Sequence, residues 1–249
     1  MLESMFRSMR SFWLGFAEAS RGGSSLELPG VHAAIMPAMR DRSVVNCVVH
    51  DGAEALEAAL DRLAAAYDDA GVQAWTVWVH ESDEPAQAVL AAAGHVLDAA
   101  PMGQERELDG IEASDTAELD LLPDPSPADF DPIVSASYGW PGFGQAIEGF
   151  PPPFHPYVAR HEGRPAACLG IWDVDDDAHV QLVGTVPEAR GHGLAPRLMR
   201  RALVDARERG CTVTRLQATA MGYPVYSRLG YRDLGRVQMW ERRKPAPPE

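Results

Sequence analysis

The stretch Val180–Ala206, VQLVGTVPEARGHGLAPRLMRRALVDA, changes its residue pattern twice. Val180–Val186 is an apolar run rich in β-branched residues, which predicts a buried strand. Pro187 ends the run, and the glycines within Arg190–Gly193 predict a tight turn. Apolar residues then recur at helical spacing, on one face made of Leu194, Leu198, Ala202 and Ala206.

A glycine turn in front of a helix is typical of an anion site. The first N–H groups of a helix have no partner inside the helix and lie at the positive end of its dipole. Gly191 and Gly193 allow the main chain to approach a phosphate closely. The alternative is a glycine-rich connection between strand and helix that binds nothing.

The turn also resembles a family signature. Val186–Ala195, VPEARGHGLA, is similar to the pyrophosphate-binding signature of the GCN5-related N-acetyltransferases (GNAT), Q/R-x-x-G-x-G/A. Gly222–Tyr231, GYPVYSRLGY, resembles the family's Y-x-x-L/x-G-F/Y ending. The resemblance implies an α/β (α+β) fold with a mixed, mostly antiparallel sheet flanked by helices.

The resemblance also implies a site for acetyl-CoA. Gly184 and Val186 would meet its pantetheine arm through main-chain atoms, between two strands that diverge. The pyrophosphate would be held mostly by main-chain N–H groups of Arg190, Gly191, His192, Gly193, Leu194 and Ala195. Tyr226 takes the place of a tyrosine that protonates the leaving sulfur as general acid; the alternative is a core tyrosine with a satisfied hydroxyl.

Other parts of this site stay open. Many family members carry an Asn seven residues before the tyrosine, where this chain has Thr219, so acyl groups longer than acetyl remain alternatives. No general base can be assigned, and the candidates by neighbourhood are Glu148, His155, Asp173 and His179. Of these, His179 stands beside an acidic turn and is expected at the surface.

The implied activity is N-acetyl transfer from acetyl-CoA to a primary amine by direct attack in a ternary complex. No Cys or Ser–His pair is placed for a covalent intermediate. A non-catalytic acyl-CoA-binding or sensor protein is the alternative. The acceptor is an amine of a small molecule or a peptide, and a monomer or a homodimer is expected, in the cytoplasm.

Two tandem units are predicted. The order helix, strand, helix, glycine, strand in Ala53–Leu108 recurs at the C-terminus, which suggests a degenerate unit at 1–110, an acidic, proline-containing linker at 111–126 and a cofactor-binding unit at 127–249. In the first copy, VHDGAEALEAAL lacks the glycine turn and places Asp51, Glu54 and Glu57 near the expected phosphates, which they would repel. That unit is predicted to be structural or to form one wall of the acceptor pocket.

Charge and composition limit the partners. Residues 1–125 hold 22 acidic and 7 basic residues (7 − 22 = −15), and residues 126–249 hold 14 and 15 (15 − 14 = +1), which argues against nucleic acid. Three cysteines without metal-ligand spacing indicate a reducing compartment and no structural zinc. The segment 1–22 predicts an amphipathic helix packed on the domain, too short in its apolar part to span a membrane; a membrane-surface helix is the minor alternative.

Overall fold

The computed structural model describes residues 2–112 and 119–245. Its helices are α1 (Leu2–Glu18), α2 (Ala53–Asp69), α3 (Glu84–Ala92), α4 (Pro127–Tyr138), α5 (Phe143–Ala146), α6 (Leu194–Glu208) and α7 (Tyr223–Arg228). Its strands are β1 (Ser24–Leu28), β2 (Val31–Ile35), β3 (Cys47–His50), β4 (Ala74–His80), β5 (Val96–Ala99), β6 (Met102–Glu107), β7 (Phe154–His161), β8 (Arg164–Val174), β9 (Asp177–Thr185), β10 (Val213–Ala218) and β11 (Arg232–Arg243). None of the helices in residues 2–112 and 119–245 has the length and hydropathy of a membrane span.

The chain forms two compact units. The first unit consists of Met9–Met102 with Gly235–Glu249, and the second of Met1–Ser8 with Gly103–Leu234. These bounds differ from the sequence-based domains, because segments near both ends of the chain join the unit of the opposite half. The predicted linker, 111–126, includes residues 113–118, which lie outside the described residues.

The first unit is a sheet covered by α2 and α3. Its strand order is β1-β2-β3-β4-β11, with β1, β2 and β3 antiparallel, β4 parallel to β3 and β11 antiparallel to β4. The apolar face of α2 is buried against strand residues such as Val48 and Val77, through Leu56, Leu63 and Tyr67. This packing explains the helical spacing of apolar residues in Ala53–Asp69.

The second unit repeats this plan. Its strand order is β6-β10-β9-β8-β7, with β7, β8 and β9 antiparallel and β10 parallel to β9. In α6 the predicted apolar face is buried, since Leu194, Leu198, Ala202 and Ala206 are each at most 7% exposed. Three antiparallel strands, a helix, a parallel strand and a short helix thus occur in both units, which confirms the predicted tandem fold.

Each unit takes one strand from the other half of the sequence. The first unit includes β11 from Gly235 onward, and the second unit includes β6 from Gly103 onward. Within the second unit, Glu105 of β6 is joined to Arg215 of β10 by an ion pair of 2.9 Å, and Arg215 also contacts Asp177 of β9 at 3.1 Å. These buried contacts anchor β6 in a sheet that is otherwise built from the C-terminal half.

Local sequence also sets the bounds of α4. Pro127 occupies the first turn, where its missing N–H costs nothing, and the Ser126 amide donates to the Asp129 carboxylate at 2.9 Å. At the other end, Gly139 adopts a left-handed conformation with φ of 67°. Residues at both ends of α4 therefore set its bounds, and its last residue, Tyr138, becomes important at the site.

Candidate active site

Strands β9 and β10 are paired only near their amino ends. The parallel register joins Asp177 to Val213, Ala178 to Thr214 and His179 to Arg215. Beyond these pairs β9 continues to Thr185 and β10 to Ala218. We call the region between 180–185 of β9 and 216–218 of β10, where the main chains no longer pair and Gln181 Nε2 donates to Gln217 Oε1 at 3.3 Å, the strand gap.

A bulge in β9 lies at the strand gap. Leu182 has a φ of 56°, and the register with β8 shifts between Cys168 and Gly170. A left-handed conformation of a residue with a side chain costs about 1–2 kcal/mol. Two hydrogen bonds hold the bulge, since the Cys168 thiol donates to the Leu182 carbonyl at 3.3 Å and the Tyr138 hydroxyl to the Val183 carbonyl at 2.7 Å.

The main-chain groups of Val183 and Thr185 are the ones directed toward the strand gap. The Val186 amide donates to the Ala166 carbonyl beside β8 at 2.9 Å, and the Val186 carbonyl accepts from the Ala189 amide at 3.0 Å. Because main-chain groups alternate sides along a strand, Gly184 also faces β8. The main-chain contacts of Gly184 and Val186 with the pantetheine arm stay a prediction, and both main-chain groups of Val186 are already bonded within the protein.

Gly184 is instead a site of close packing. A Cβ atom there would lie 2.8 Å from Ser137 Oγ and 3.0 Å from Ile133 Cγ2, both on α4. The glycine therefore allows α4 to rest directly on β9. This approach brings the Ser137 hydroxyl to the Thr185 carbonyl at 3.5 Å and the Tyr138 hydroxyl to Val183.

The turn before α6 offers unpaired main-chain donors. Gly191 and Gly193 have φ values of 84° and 70°, as the tight turn requires. Arg190 already donates its amide to the Pro187 carbonyl at 3.2 Å. Within residues 2–112 and 119–245, no hydrogen-bond partner is found for the amides of Gly191, His192, Gly193, Leu194 and Ala195. Five of the six amides predicted from the resemblance are thus available to an anion.

Histidine side chains border the turn. The His192 ring lies 4.5 Å from the His161 ring, centroid to centroid, and its Nδ1 lies 3.2 Å from the Arg190 carbonyl oxygen. His161 ends β7, and sequence reasoning missed it because nothing in its local pattern shows that this hairpin reaches the turn. Of the arginines on α6, Arg201 is paired with Asp205 at 2.9 Å, which raises its pKa.

Two phenols, Tyr226 and Tyr138, are near enough for the charge of one to affect the pKa of the other. Tyr226 of α7 is 7% exposed, and burial raises the pKa of its hydroxyl, which therefore stays protonated at neutral pH. Burial, followed by the charge of an ionised Tyr226, also raises the pKa of Tyr138. The Tyr138 ring stacks on Trp140 with centroids 4.9 Å apart. Sequence reasoning missed Tyr138, which looks like an ordinary last residue of a helix.

Three of the four candidate bases, His155, Asp173 and His179, lie near the amino end of β9. His155 and Asp173 are joined at 3.1 Å near the amino end of β9, where Asp173 also accepts from Arg209 at 2.6 Å. The prediction that His179 is a surface residue is wrong: it is fully buried in β9, and desolvation lowers its pKa to about 3. Val183, at the strand gap, lies four residues beyond His179 along β9, which corresponds to about 13 Å of extended strand. Glu148 is exposed, after α5.

The corresponding junction of the first unit carries acidic groups. Helix α2 follows Gly52 without a side-chain cap and has Glu54 in its first turn, and Asp51 lies 3.9 Å from Arg10. Carboxylates at this helix start would oppose a second anion. In residues 2–112 and 119–245, no three His, Cys, Asp or Glu side chains converge as a metal site requires.

Comparisons with known proteins agree with this geometry. The model of the acetyltransferase (GNAT) family matches residues 119–231. No curated protein matches the chain. Among solved structures, a GCN5-related N-acetyltransferase from Kribbella flavida is similar over 98% of this chain and 96% of its own, at 16% identity and a TM-score of 0.70.

Two further structures cover nearly the whole chain. A GNAT-family protein from Novosphingobium aromaticivorans is 21% identical over 96% of this chain and 97% of its own, with a TM-score of 0.63. A tandem GNAT protein from the clavulanic acid biosynthesis pathway is 14% identical over 98% and 97%, with a TM-score of 0.56. At these identities the likeness concerns the fold. The segment that the acetyltransferase (GNAT) family model matches, 119–231, holds the strand gap, the glycine turn and Tyr226, so the likeness to that family includes the candidate site.

Proposed function

We propose that the second unit binds acetyl-CoA and transfers its acetyl group to a primary amine of a small molecule or a peptide, by direct attack in a ternary complex. The observation that carries the proposal is the set of five unpaired amides in Gly191–Ala195, at the end of β9 where β9 and β10 no longer pair. Hydrogen-bond donors at a helix start suit a pyrophosphate, whose oxygens only accept.

The strand gap suits the arm of the same molecule. Pantetheine carries amide groups, which need donors and acceptors of the kind that a strand edge offers. Val183 and Thr185 turn their main-chain groups toward the gap, and the register of β10 does not cover them. Acetyl-CoA supplies the activated thioester; the protein orients it and excludes water.

Tyr226 supplies the proton in this proposal. Burial keeps its phenol neutral, so the hydroxyl has a proton to donate to the departing sulfur. A main-chain amide at the gap would hydrogen-bond the carbonyl oxygen as negative charge develops there. The two groups with which we associate catalysis thus lie on β9 and on α7, and the amides that would bind the pyrophosphate lie on the turn, all within the second unit.

Calorimetry with acetyl-CoA tests the binding step. Wild-type protein is expected to bind with a dissociation constant of about 1 μM to 1 mM, the usual range for enzyme substrates. Gly191→Glu places a carboxylate at the amides and is expected to weaken binding at least about tenfold, by repulsion of the phosphates. Gly210→Glu is the matched control, because Gly210 also has a positive φ and an open Cβ direction, at the far end of α6.

The outcomes separate the alternatives. Equal loss in Gly191→Glu and Gly210→Glu would mean that backbone strain, and not the anion site, explains the effect. A wild-type protein that does not bind acetyl-CoA contradicts the proposal. Specific binding without acetylation of any amine in a panel of amino acids, polyamines, aminoglycosides and peptides favours the sensor alternative.

A further inference from the structure

Tyr138 is held in place at both ends of its side chain. Its hydroxyl donates to the Val183 carbonyl at 2.7 Å, and its ring stacks on Trp140 at an interplanar angle of 28°. Its backbone is fixed by the last turn of α4 and the left-handed Gly139 that follows. Ser135 Oγ donates to the Trp140 carbonyl at 3.3 Å, which fixes the segment that supports the ring.

This ring reaches the strand gap through its hydrogen bond to Val183, and it is near enough to Tyr226, the predicted proton donor, for the charge of one phenol to act on the other. Val183 follows the bulge residue Leu182, and its main chain faces the gap. If the thioester sulfur lies at Tyr226, the acyl group attached to it extends into the space that Tyr138 borders. We propose that Tyr138, supported by Trp140, closes the acyl pocket and restricts the donor to short acyl groups, acetyl above all. This inference rests on the proposed function.

A wall held by a hydrogen bond and a stacked ring discriminates by size. Protein interiors are close-packed, so an added methylene must displace a wall atom or fold back. Pockets of this kind discriminate by about 10- to 200-fold per methylene. A flexible side chain in the same place would yield and discriminate less, which is why the two fixed ends of Tyr138 matter.

The test is calorimetric titration with CoA, acetyl-CoA, propionyl-CoA and butyryl-CoA, without an acceptor. Wild-type protein is expected to bind acetyl-CoA at least about tenfold more tightly than butyryl-CoA. Tyr138→Ala is expected to reduce this ratio to about threefold or less, because the wall is gone. Tyr138→Phe keeps the ring and is expected to keep most of the preference.

Two further variants sharpen the test. Tyr157→Ala removes the same side chain from β7, where its hydroxyl contacts Asp205, and is expected to leave the ratio unchanged. Trp140→Ala removes the support and keeps the hydrogen bond of Tyr138, so an intermediate ratio is expected. It also provides the test if Tyr138→Ala does not fold.

Several results would overturn the inference. A wild-type protein that binds acetyl-CoA and butyryl-CoA equally has no such wall. A preference that persists in Tyr138→Ala and in Trp140→Ala places the wall elsewhere. If Tyr138→Ala weakens the binding of all four ligands by the same factor, Tyr138 has a structural role only. Failure of the wild type to bind any of them contradicts the proposed function itself, which distinguishes the two failures.

Discussion

A buried phenol with a raised pKa stays neutral, so it can donate a proton but does not act as a base, and Tyr226 is in this position. Burial alone accounts for the raised pKa of its hydroxyl. Tyr226→Phe removes one oxygen and keeps the ring packed near Tyr231, whose ring centroid lies 5.8 Å away. The substitution therefore separates chemistry from packing.

We expect Tyr226→Phe to lower kcat by about 10²- to 10⁴-fold, the usual contribution of general acid–base catalysis. Acetyl-CoA affinity is expected to change less than about threefold, since the ring remains. Steady-state kinetics with an accepted amine and calorimetry with acetyl-CoA measure the two effects. An unchanged kcat would mean that Tyr226 is a core residue and not the general acid.

The burial of neutral His95 makes the stability of the fold depend on pH. His95 is 3% exposed, and its ring packs edge-on against Trp75 at 4.7 Å. Burial and the charge of Arg242 lower its pKa to about 4. The unfolded chain takes up a proton below about pH 6.5, whereas the folded chain does not until about pH 4.

Stability is therefore lost as the pH falls through this window, by at most about 1.4 kcal/mol per pH unit for this residue. His95→Phe removes the titrating group and keeps an aromatic ring against Trp75. We expect the drop in Tm from about pH 7 to about pH 5 to be smaller in this variant by about 2–4 °C or more. Differential scanning calorimetry at the two pH values measures this, and an equal drop in both proteins would contradict the assignment.

Residue roles at the site were only partly predictable. The glycine turn followed from Gly191 and Gly193, because their spacing before a helical pattern is a local signal. The side of β9 that faces the strand gap could not be predicted, because the bulge at Leu182 depends on pairing with the partner strand β8. His179 was expected at the surface because of its acidic neighbours, but β9 begins at Asp177, and Asp177 itself is buried beside Arg215.

At the scale of elements, the position of α4 on β9 connects packing to the site. Gly184→Ala would place a methyl group 2.8 Å from Ser137 Oγ and 3.0 Å from Ile133 Cγ2. Helix α4 must then move outward, which disturbs the hydrogen bonds to Val183 and Thr185. Overpacking of this kind costs about 1–3 kcal/mol.

We expect Gly184→Ala to lower Tm by about 2–10 °C and to weaken acetyl-CoA binding at least about fivefold, because the strand edge is displaced. Gly149→Ala is the matched control, since a Cβ there meets no atom within 4 Å. Thermal denaturation and calorimetry measure the two effects. Equal Tm values and equal acetyl-CoA affinities of the two variants would show that α4 can move to accommodate the added methyl group without loss.

Elements with a strong period were predicted well, and short polar ones were not. The helix that begins at Leu194 agrees with the structure, since it carries a long apolar pattern. Strand β1 begins with Ser24 and Ser25, which have weak strand propensity, because pairing with β2 overrides that local preference. Strand β5 was missed because all four of its residues are exposed.

At the scale of the whole molecule, the two halves of the sequence are not the two units of the structure. β6 belongs to the N-terminal half and completes the sheet of the second unit; β11 belongs to the C-terminal half and completes the sheet of the first. Duplication of one fold is visible in the order of elements, whereas the exchange of terminal strands is not, because strand order depends on contacts far apart in the chain.

A cut between residues 112 and 119 tests this exchange. Each fragment then lacks one strand of the sheet that it mainly builds, so neither is expected to show a cooperative thermal transition or to bind acetyl-CoA alone. Mixing the fragments is expected to restore both, with a midpoint that rises with fragment concentration. Size-exclusion chromatography and circular dichroism measure the recovery. A separate fragment 119–249 that folds cooperatively would contradict the expectation.

The exchanged strands also bear on how such a chain can evolve. If each half depends on the other for a sheet edge, the acidic half cannot be discarded when its own helix start no longer suits a phosphate. Deletion of that half would expose the open edge of β10 and invite pairing with other chains. The first unit would then be retained because the second unit needs β6 to fold. Natural shortening of this protein to a single unit would require a new strand to replace β6.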